Sequence, residues 1–264
     1  MHAMERINRR TWKSTLRFYA RTSGYTDPGE EAALNAIQKE ISGGRILDLG
    51  VGGGRTAEMF APLAGEYVGV DYTPEMVSLA RSRFPELRFA EADARDLHDF
   101  KPASFDLVAF SCNGIDSVDP ESRAKVLRES ARVLRPGGLL FYSTFNRDGP
   151  GFRTKTSIRK IEPSANPLRL SYSLAKYAVG GAIGWARVMK NRRLESKGED
   201  CSILLHGAHD FGILVHAISL TSIPRELAAA GFRTDIRMFG ASGAETNPVA
   251  GRNEEYVHVI ARRT

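Results

Sequence analysis

The segment Ile46-Leu47-Asp48-Leu49-Gly50-Val51-Gly52-Gly53-Gly54-Arg55-Thr56 constrains this chain more than any other. An apolar run ends in an acid, a glycine cluster follows, and a helix-compatible stretch comes next. That order describes a buried strand turning sharply into a helix, with room for a ligand against the backbone. Glycine supplies both the positive φ and the close approach. The spacing excludes two familiar phosphate-binding turns. A dinucleotide turn needs G-x-G-x-x-G or -A. Counted from Gly50 and Gly52, its last slot falls on Arg55. A P-loop needs a Gly-Lys pair followed by Ser or Thr, and the chain has no Gly-Lys pair.

A second short apolar run, Glu66-Tyr67-Val68-Gly69-Val70-Asp71, also ends in an acid. Asp71 lies about twenty residues past the glycines, where doubly wound sheets place a carboxylate for ribose hydroxyls. Such a group accepts from both hydroxyls at once. Tyr72-Thr73-Pro74-Glu75-Met76 then reads as a helix start, with Thr73 at the cap, Pro74 at the first helical position and Glu75 in the first turn. A third strand, Leu87 to Ala90, leads to Glu91-Ala92-Asp93-Ala94. A fourth, Phe105 to Phe110, leads to Ser111-Cys112-Asn113-Gly114-Ile115-Asp116. Arg132-Val133-Leu134-Arg135-Pro136-Gly137-Gly138 ends a helix, and a fifth strand follows it.

Taken together, D-x-G-x-G-x-G from Asp48 to Gly54, the acid at Asp71, the Asp93 segment and the VLRPGG run resemble the class I S-adenosylmethionine-dependent methyltransferases. The resemblance is strong over residues 45–145 and weaker over 221–262. It implies an α/β, doubly wound, mostly parallel seven-stranded sheet (a Rossmann-like methyltransferase fold). It also implies S-adenosylmethionine as methyl donor and S-adenosylhomocysteine as product. The cofactor residues it suggests are Asp48, Gly50, Gly52, Gly54, Asp71, Tyr72, Asp93, Ala94 and Ser111. Asp93 would meet the adenine amino group and the Ala94 amide the ring. An N-terminal aromatic closes over the cofactor in many relatives, and the resemblance implies Tyr25, then Tyr19, for that role.

The organisation expected is an N-terminal helical lid over 1–41, the cofactor core over 42–145, a cap over 146–216 and the rest of the core over 217–264. The cap is expected to hold a short extended stretch near Leu168 to Leu174, then a helix ending near Arg193. Two strands follow, joined by a turn at His206-Gly207-Ala208-His209-Asp210. Such a cap would cover the carboxyl ends of the parallel strands, where open α/β sheets bind ligands. Beyond it, Ser222 to Ala230 reads as a helix ended by Gly231, and two antiparallel edge strands follow.

Methyl transfer from a sulfonium needs an in-line nucleophile and exclusion of water more than a fixed catalytic constellation. An O or N acceptor must also lose a proton. Candidate catalytic groups are His216, His209 and Asn113. The run from His216 through Pro224 to Leu227 weakly resembles one in ubiquinone-pathway O-methyltransferases, although its Asp and Trp are absent. The segment after the fourth strand lacks the Pro-Pro pair of enzymes that methylate amino groups of bases, so no DNA partner is expected.

Two cysteines among 264 residues make neither a disulfide framework nor a metal cluster, and no metal is expected. No apolar run is long enough to span a bilayer and no secretory signal is evident, so the default location is the cytoplasm. A net charge of +6 favours an anionic partner. The leading expectation is a small-molecule methyl acceptor, O- or N-linked. The alternatives are a lipid or quinone acceptor at a membrane surface, an RNA acceptor, and a non-catalytic cofactor-binding protein. A homodimer through the cap is also compatible.

Overall fold

A computed structural model describes residues 3–16, 26–150, 161 and 163–264. Five parallel strands form the core of the main sheet: β1 (Arg45–Leu49), β2 (Glu66–Asp71), β3 (Arg88–Glu91), β4 (Phe105–Phe110) and β5 (Leu134–Phe145). Antiparallel strands complete one side: β9 (Arg237–Gly240), β10 (Glu245–Thr246) and β11 (Tyr256–Arg262). The spatial order is β3-β2-β1-β4-β5-β11-β9-β10. The order reverses between β1 and β4, which opens a crevice at their carboxyl ends.

Alternation along the strands builds two cores. Leu47, Leu49, Val68, Val70, Val108 and Tyr142 face α5 (Pro120–Val133) and α7 (Ile223–Ala229), which contribute Val126, Leu127, Ile223 and Leu227. Ile46, Tyr67, Phe89, Leu107, Ala109 and Phe141 face the other way. They meet α2 (Pro28–Ile41), α3 (Ala57–Phe60) and α4 (Pro74–Arg83) through Ala33, Ile37, Phe60, Val77 and Ala80. Side chains of successive strand residues point to opposite faces, so near-continuous apolar strands bury both. Asp27 caps α2 by accepting from the Gly29 and Glu30 amides, and Asp119 caps α5 by accepting from Ser122.

The doubly wound α/β class expected from sequence is the one observed. The sheet has eight strands rather than seven, because Glu245 and Thr246 pair with Phe239 and Met238 in the segment between the two expected edge strands. Pro136, Gly137 and Gly138 lie within β5, where the pairing register to β4 shifts.

The cap contains α6 (Pro167–Asn191) and a small antiparallel sheet of β6 (Ser196–Lys197), β7 (Cys201–His206) and β8 (Ile213–Ile218). The extended stretch expected near Leu168 to Leu174 is helical instead. Asn166 caps the helix through the Leu168 and Arg169 amides, and the polar–apolar alternation there also satisfies a helical repeat. The turn before β8 holds His209, Asp210 and Phe211 at positive φ. The N-terminal helix α1 (Ala3–Ser14) packs on this cap sheet: Met4 shares a small core with Leu205, Phe211 and Leu214.

Candidate cofactor site

At the carboxyl ends of β1, β2 and β4 a cavity of about 160 Å³ is lined by Gly50, Gly52, Asp71, Tyr72, Phe110 and Ser111, among others. Gly50 has φ +62, and a Cβ there would come within 2.6 Å of the Phe110 ring. Gly52 has φ +54, and a Cβ there would meet nothing within 4 Å. Its bare face therefore looks onto open space at the cavity wall. Gly54 lies behind the turn, where a Cβ would strike the Phe84 ring.

Asp71 ends β2 with its carboxylate tied to both neighbouring loops. Oδ2 accepts from the Gly52 amide at 3.0 Å and Oδ1 from the Thr73 amide at 2.8 Å. Burial pushes its pKa up, and those two amides pull against the rise. Each oxygen keeps acceptor capacity beyond its amide. Asp48 has another task. It is fully buried beneath the glycine turn, with Oδ2 accepting from Thr56 at 2.5 Å and from the Tyr67 hydroxyl at 2.7 Å. Burial raises its pKa to about 6 despite those bonds. It shapes the turn from below and does not line the cavity.

Asp93 is bound up by Arg95. The Arg95 amide and Nε both reach Oδ1 at 2.9 Å, and a guanidinium nitrogen meets Oδ2 at 2.5 Å. Its neighbours Ala92 and Ala94 line the cavity instead. Ser111 stands on the opposite wall. Its hydroxyl bonds to Glu30 and accepts from Arg55 at 2.8 Å, and Arg55 pairs with both Glu30 oxygens at 2.8 Å. Arg55, the residue that breaks the dinucleotide spacing, thus clamps α2 to the wall. Tyr72 lines the cavity with Arg9 over its ring, 4.8 Å from the centroid. Burial and the Asp71 charge raise its pKa to about 12.

The three candidate catalytic groups lie away from the cavity lining. His216 sits on β8, 2 % exposed, with neither ring nitrogen hydrogen-bonded, and burial beside Arg123 drives its pKa down to about 3. His209 sits in the cap turn, its ring edge-on to Trp12 at 5.5 Å. Asn113 has φ +54 and donates its backbone amide to Ser143 at 2.7 Å. Its buried Oδ1 has no hydrogen-bond partner, and its neighbours Cys112 and Gly114 reach the cavity. Tyr19 and Tyr25 fall outside the described residues.

Sequence reasoning missed Trp12, which lines the cavity from α1. The signal was a lone tryptophan in a basic helix. The helix is pinned at several points. Asn8, 1 % exposed, donates to the carbonyls of Ser117 and Leu214 at 2.9 and 2.8 Å and accepts from the Leu214 amide at 2.9 Å. Glu5 pairs with Arg95 at 3.0 Å, and Lys13 with Glu75 at 2.9 Å. Among the described residues, no group of three or more His, Cys, Asp or Glu is placed to hold a metal ion. None of the helices described is long and apolar enough to cross a membrane.

A family profile described as "Methyltransferase domain" matches residues 46–138. The ubiquinone biosynthesis O-methyltransferase of Xanthomonas euvesicatoria is 36% identical over 117 residues, 43% of this chain and 48% of that protein. The protein of the same name from Xylella fastidiosa is 33% identical over 162 residues, 55% of this chain and 64% of its own length. The chain therefore spans about half to just under two thirds of these curated relatives. Among solved structures, the 1,6-didemethyltoxoflavin-N1-methyltransferase of Burkholderia thailandensis superposes with a TM-score of 0.59 at 18% identity, covering 100% of this chain and 92% of that one. A methyltransferase from Mesorhizobium loti superposes with a TM-score of 0.58 at 22% identity, covering 89% and 98%. The glycine turn and the fold agree with that profile match, and residues 46–138 are similar to a methyltransferase domain.

Proposed function

We propose that the protein transfers the methyl group of S-adenosylmethionine to an oxygen or nitrogen of a small molecule, releasing S-adenosylhomocysteine. The observation that carries this reading is the Asp71 carboxylate, fixed at the cavity wall by the Gly52 and Thr73 amides. A carboxylate held by backbone amides cannot swing away, and its remaining lone pairs suit two vicinal hydroxyls. The bare Gly52 face lets a ribose approach the turn. Ala92 and Ala94 form the wall for a flat base, a role that rests on Ala94 more than on the Arg95-bound Asp93. Trp12, Cys112 and Ser117 lie at the remaining walls, toward the acceptor. The donor supplies an electrophilic methyl group when bound. The chain's own task is to align the nucleophile, exclude water and leave the site dry.

The cavity is smaller than the roughly 300–1,000 Å³ typical of ligand pockets. Trp12 on α1 stands at the cavity wall, so α1 is the element we infer to adjust when the donor enters. A curated relative is an O-methyltransferase by name and a structural neighbour an N-methyltransferase, and the proposal takes in both acceptor atoms. His216 is a poor base in this reading, since its depressed pKa leaves it weakly basic. The test is isothermal calorimetry with S-adenosylhomocysteine, followed by a screen of phenols, catechols and heteroaromatic amines for donor turnover. Absence of measurable product affinity would refute the reading.

A further inference from the structure

Helix α6 is built inside out. Its buried residues are Gly180 and Gly184, where a Cβ on Gly184 would touch the Phe211 ring at 3.2 Å. Its large apolar side chains point to solvent: Leu168 is 80% exposed, Tyr172 71%, Val179 59% and Trp185 69%, with Leu174, Ile183 and Met189 also exposed. Leu168, Tyr172, Ala175, Val179, Ala182 and Ala186 follow one another at three- and four-residue steps, which is one helical face. Leu174, Ala178, Trp185 and Met189 border it. A helix that served only the fold would turn this stripe inward and leave its glycines out.

Charge decides what covers the stripe. Residues 163–194 hold six basic side chains (Arg169, Lys176, Arg187, Lys190, Arg192 and Arg193) and no acidic one. Two copies of this face would bring like charges together. We propose that α6 is an interfacial helix that seats the protein on an anionic lipid surface, lying in the plane of the headgroups. Lys and Arg around an apolar face with Trp and Tyr is the composition of such helices, and aromatic rings of this kind favour the interfacial layer. Arg169, Lys190, Arg192 and Arg193, in a span whose sequence holds no acid, match the negative surface potential of anionic lipid.

The seat connects to the cofactor site through packed contacts. Arg187 donates to the carbonyls of His209 and Asp210 at 2.5 and 3.3 Å. Gly184 rests on Phe211 of the same turn, His209 meets Trp12 edge-on, and Trp12 lines the cavity. A surface under α6 thus bears on the turn that supports the lid.

The experiment is flotation of the full chain with phosphatidylcholine vesicles, with and without phosphatidylglycerol, at low and high salt. Retention is expected on the anionic vesicles at low salt, falling with salt. Two double variants follow, Tyr172→Ser with Trp185→Ser and Arg192→Gln with Arg193→Gln. All four positions are exposed, so folding, checked by circular dichroism and thermal melting, is expected to hold. The charge variant is expected to lower the vesicle partition coefficient about 30-fold, and the aromatic variant by about tenfold or more. Calorimetric affinity for S-adenosylhomocysteine, read separately, is expected to be unchanged in both. No retention at low salt would overturn the proposal, as would retention indifferent to both variants. A doubled mass in solution that the aromatic variant abolishes, without vesicle retention, would assign the face to a second copy instead.

Discussion

Asp71→Asn separates the cofactor role of Asp71 from its role in the loops. The side chain keeps its shape, but one oxygen becomes an NH2 group that faces a backbone N–H, at either Gly52 or Thr73. That lost bond costs about 1–3 kcal/mol of folding stability. The cost is offset in part, because burial disfavours the native charge and its removal relieves that penalty. The melting temperature should therefore shift little. Binding behaves differently. Of two charge-assisted acceptors for ribose hydroxyls, one is lost, at about 1.5–3 kcal/mol. This corresponds to roughly 10- to 150-fold weaker affinity for S-adenosylhomocysteine. Asp71→Ala loses both and should be weaker still. Calorimetry on protein whose fold has been verified by thermal melting reads the effect, with Cys201→Ser as a control expected to bind normally. An Asp71→Asn affinity within about threefold of wild type would remove Asp71 from the cofactor site, since one charged hydrogen bond is worth more than that.

Other outcomes follow from the same geometry. Gly50→Ala places a Cβ against the Phe110 ring at a positive φ, and should cost about 1–3 kcal/mol in urea unfolding; an unchanged midpoint would refute the constraint. Arg123→Ala strips the partner from Asp116, with both side chains 0% exposed and bonded at 2.5 Å. It should cost about 3–5 kcal/mol, measured by the same denaturation. His216 has a pKa held near 3, so the unfolded chain takes up that proton first and stability falls as pH drops from about 6.5 toward 3. His216→Leu should flatten that limb by an amount on the order of a few kcal/mol, and an acid-unfolding profile with an unaltered slope would contradict the assignment. Asn8→Ala should raise hydrogen exchange across α1 and lower cofactor affinity, because α1 then loses its bracket on Leu214; unchanged exchange would place the lid's anchorage elsewhere.

The residues near the glycine turn were readable because local chemistry dictates them. Gly50 and Gly52 need positive φ, and Asp71 ends a strand whose apolar run stops at it. Asp48 and Asp93 were harder. Their positions in the motif were plain, but Thr56 and Tyr67 take up one acid and Arg95 the other, and side-chain partners leave no mark in spacing. The histidines show a similar limit. A strand residue such as His216 can face the core, and only the assembled sheet shows that it does. The 168–174 stretch alternates polar and apolar residues, a pattern that also fits a helix whose apolar face looks outward. A helix with an outward apolar face is uncommon, and alternation by itself favours a strand. Trp12 was missed because its contact with the cavity depends on α1 docking on β8, more than 200 residues away in sequence.

That docking has a consequence for how the protein is made. Asn8 closes against Leu214 across a sequence separation of 206 residues. A growing chain emerges from its N-terminus and domains form in that order, so β1 to β5 can assemble while α1 has its contacts at Ser117, Arg95 and Glu75 but not yet those on β8. The anchorage of the wall that carries Trp12 is completed once β8 has been synthesised and paired. Contacts of such long range form late and slowly. During synthesis the glycine turn and Asp71 are thus present before α1 is held on β8, and a ligand reaching the nascent core would meet a less firmly held Trp12 wall.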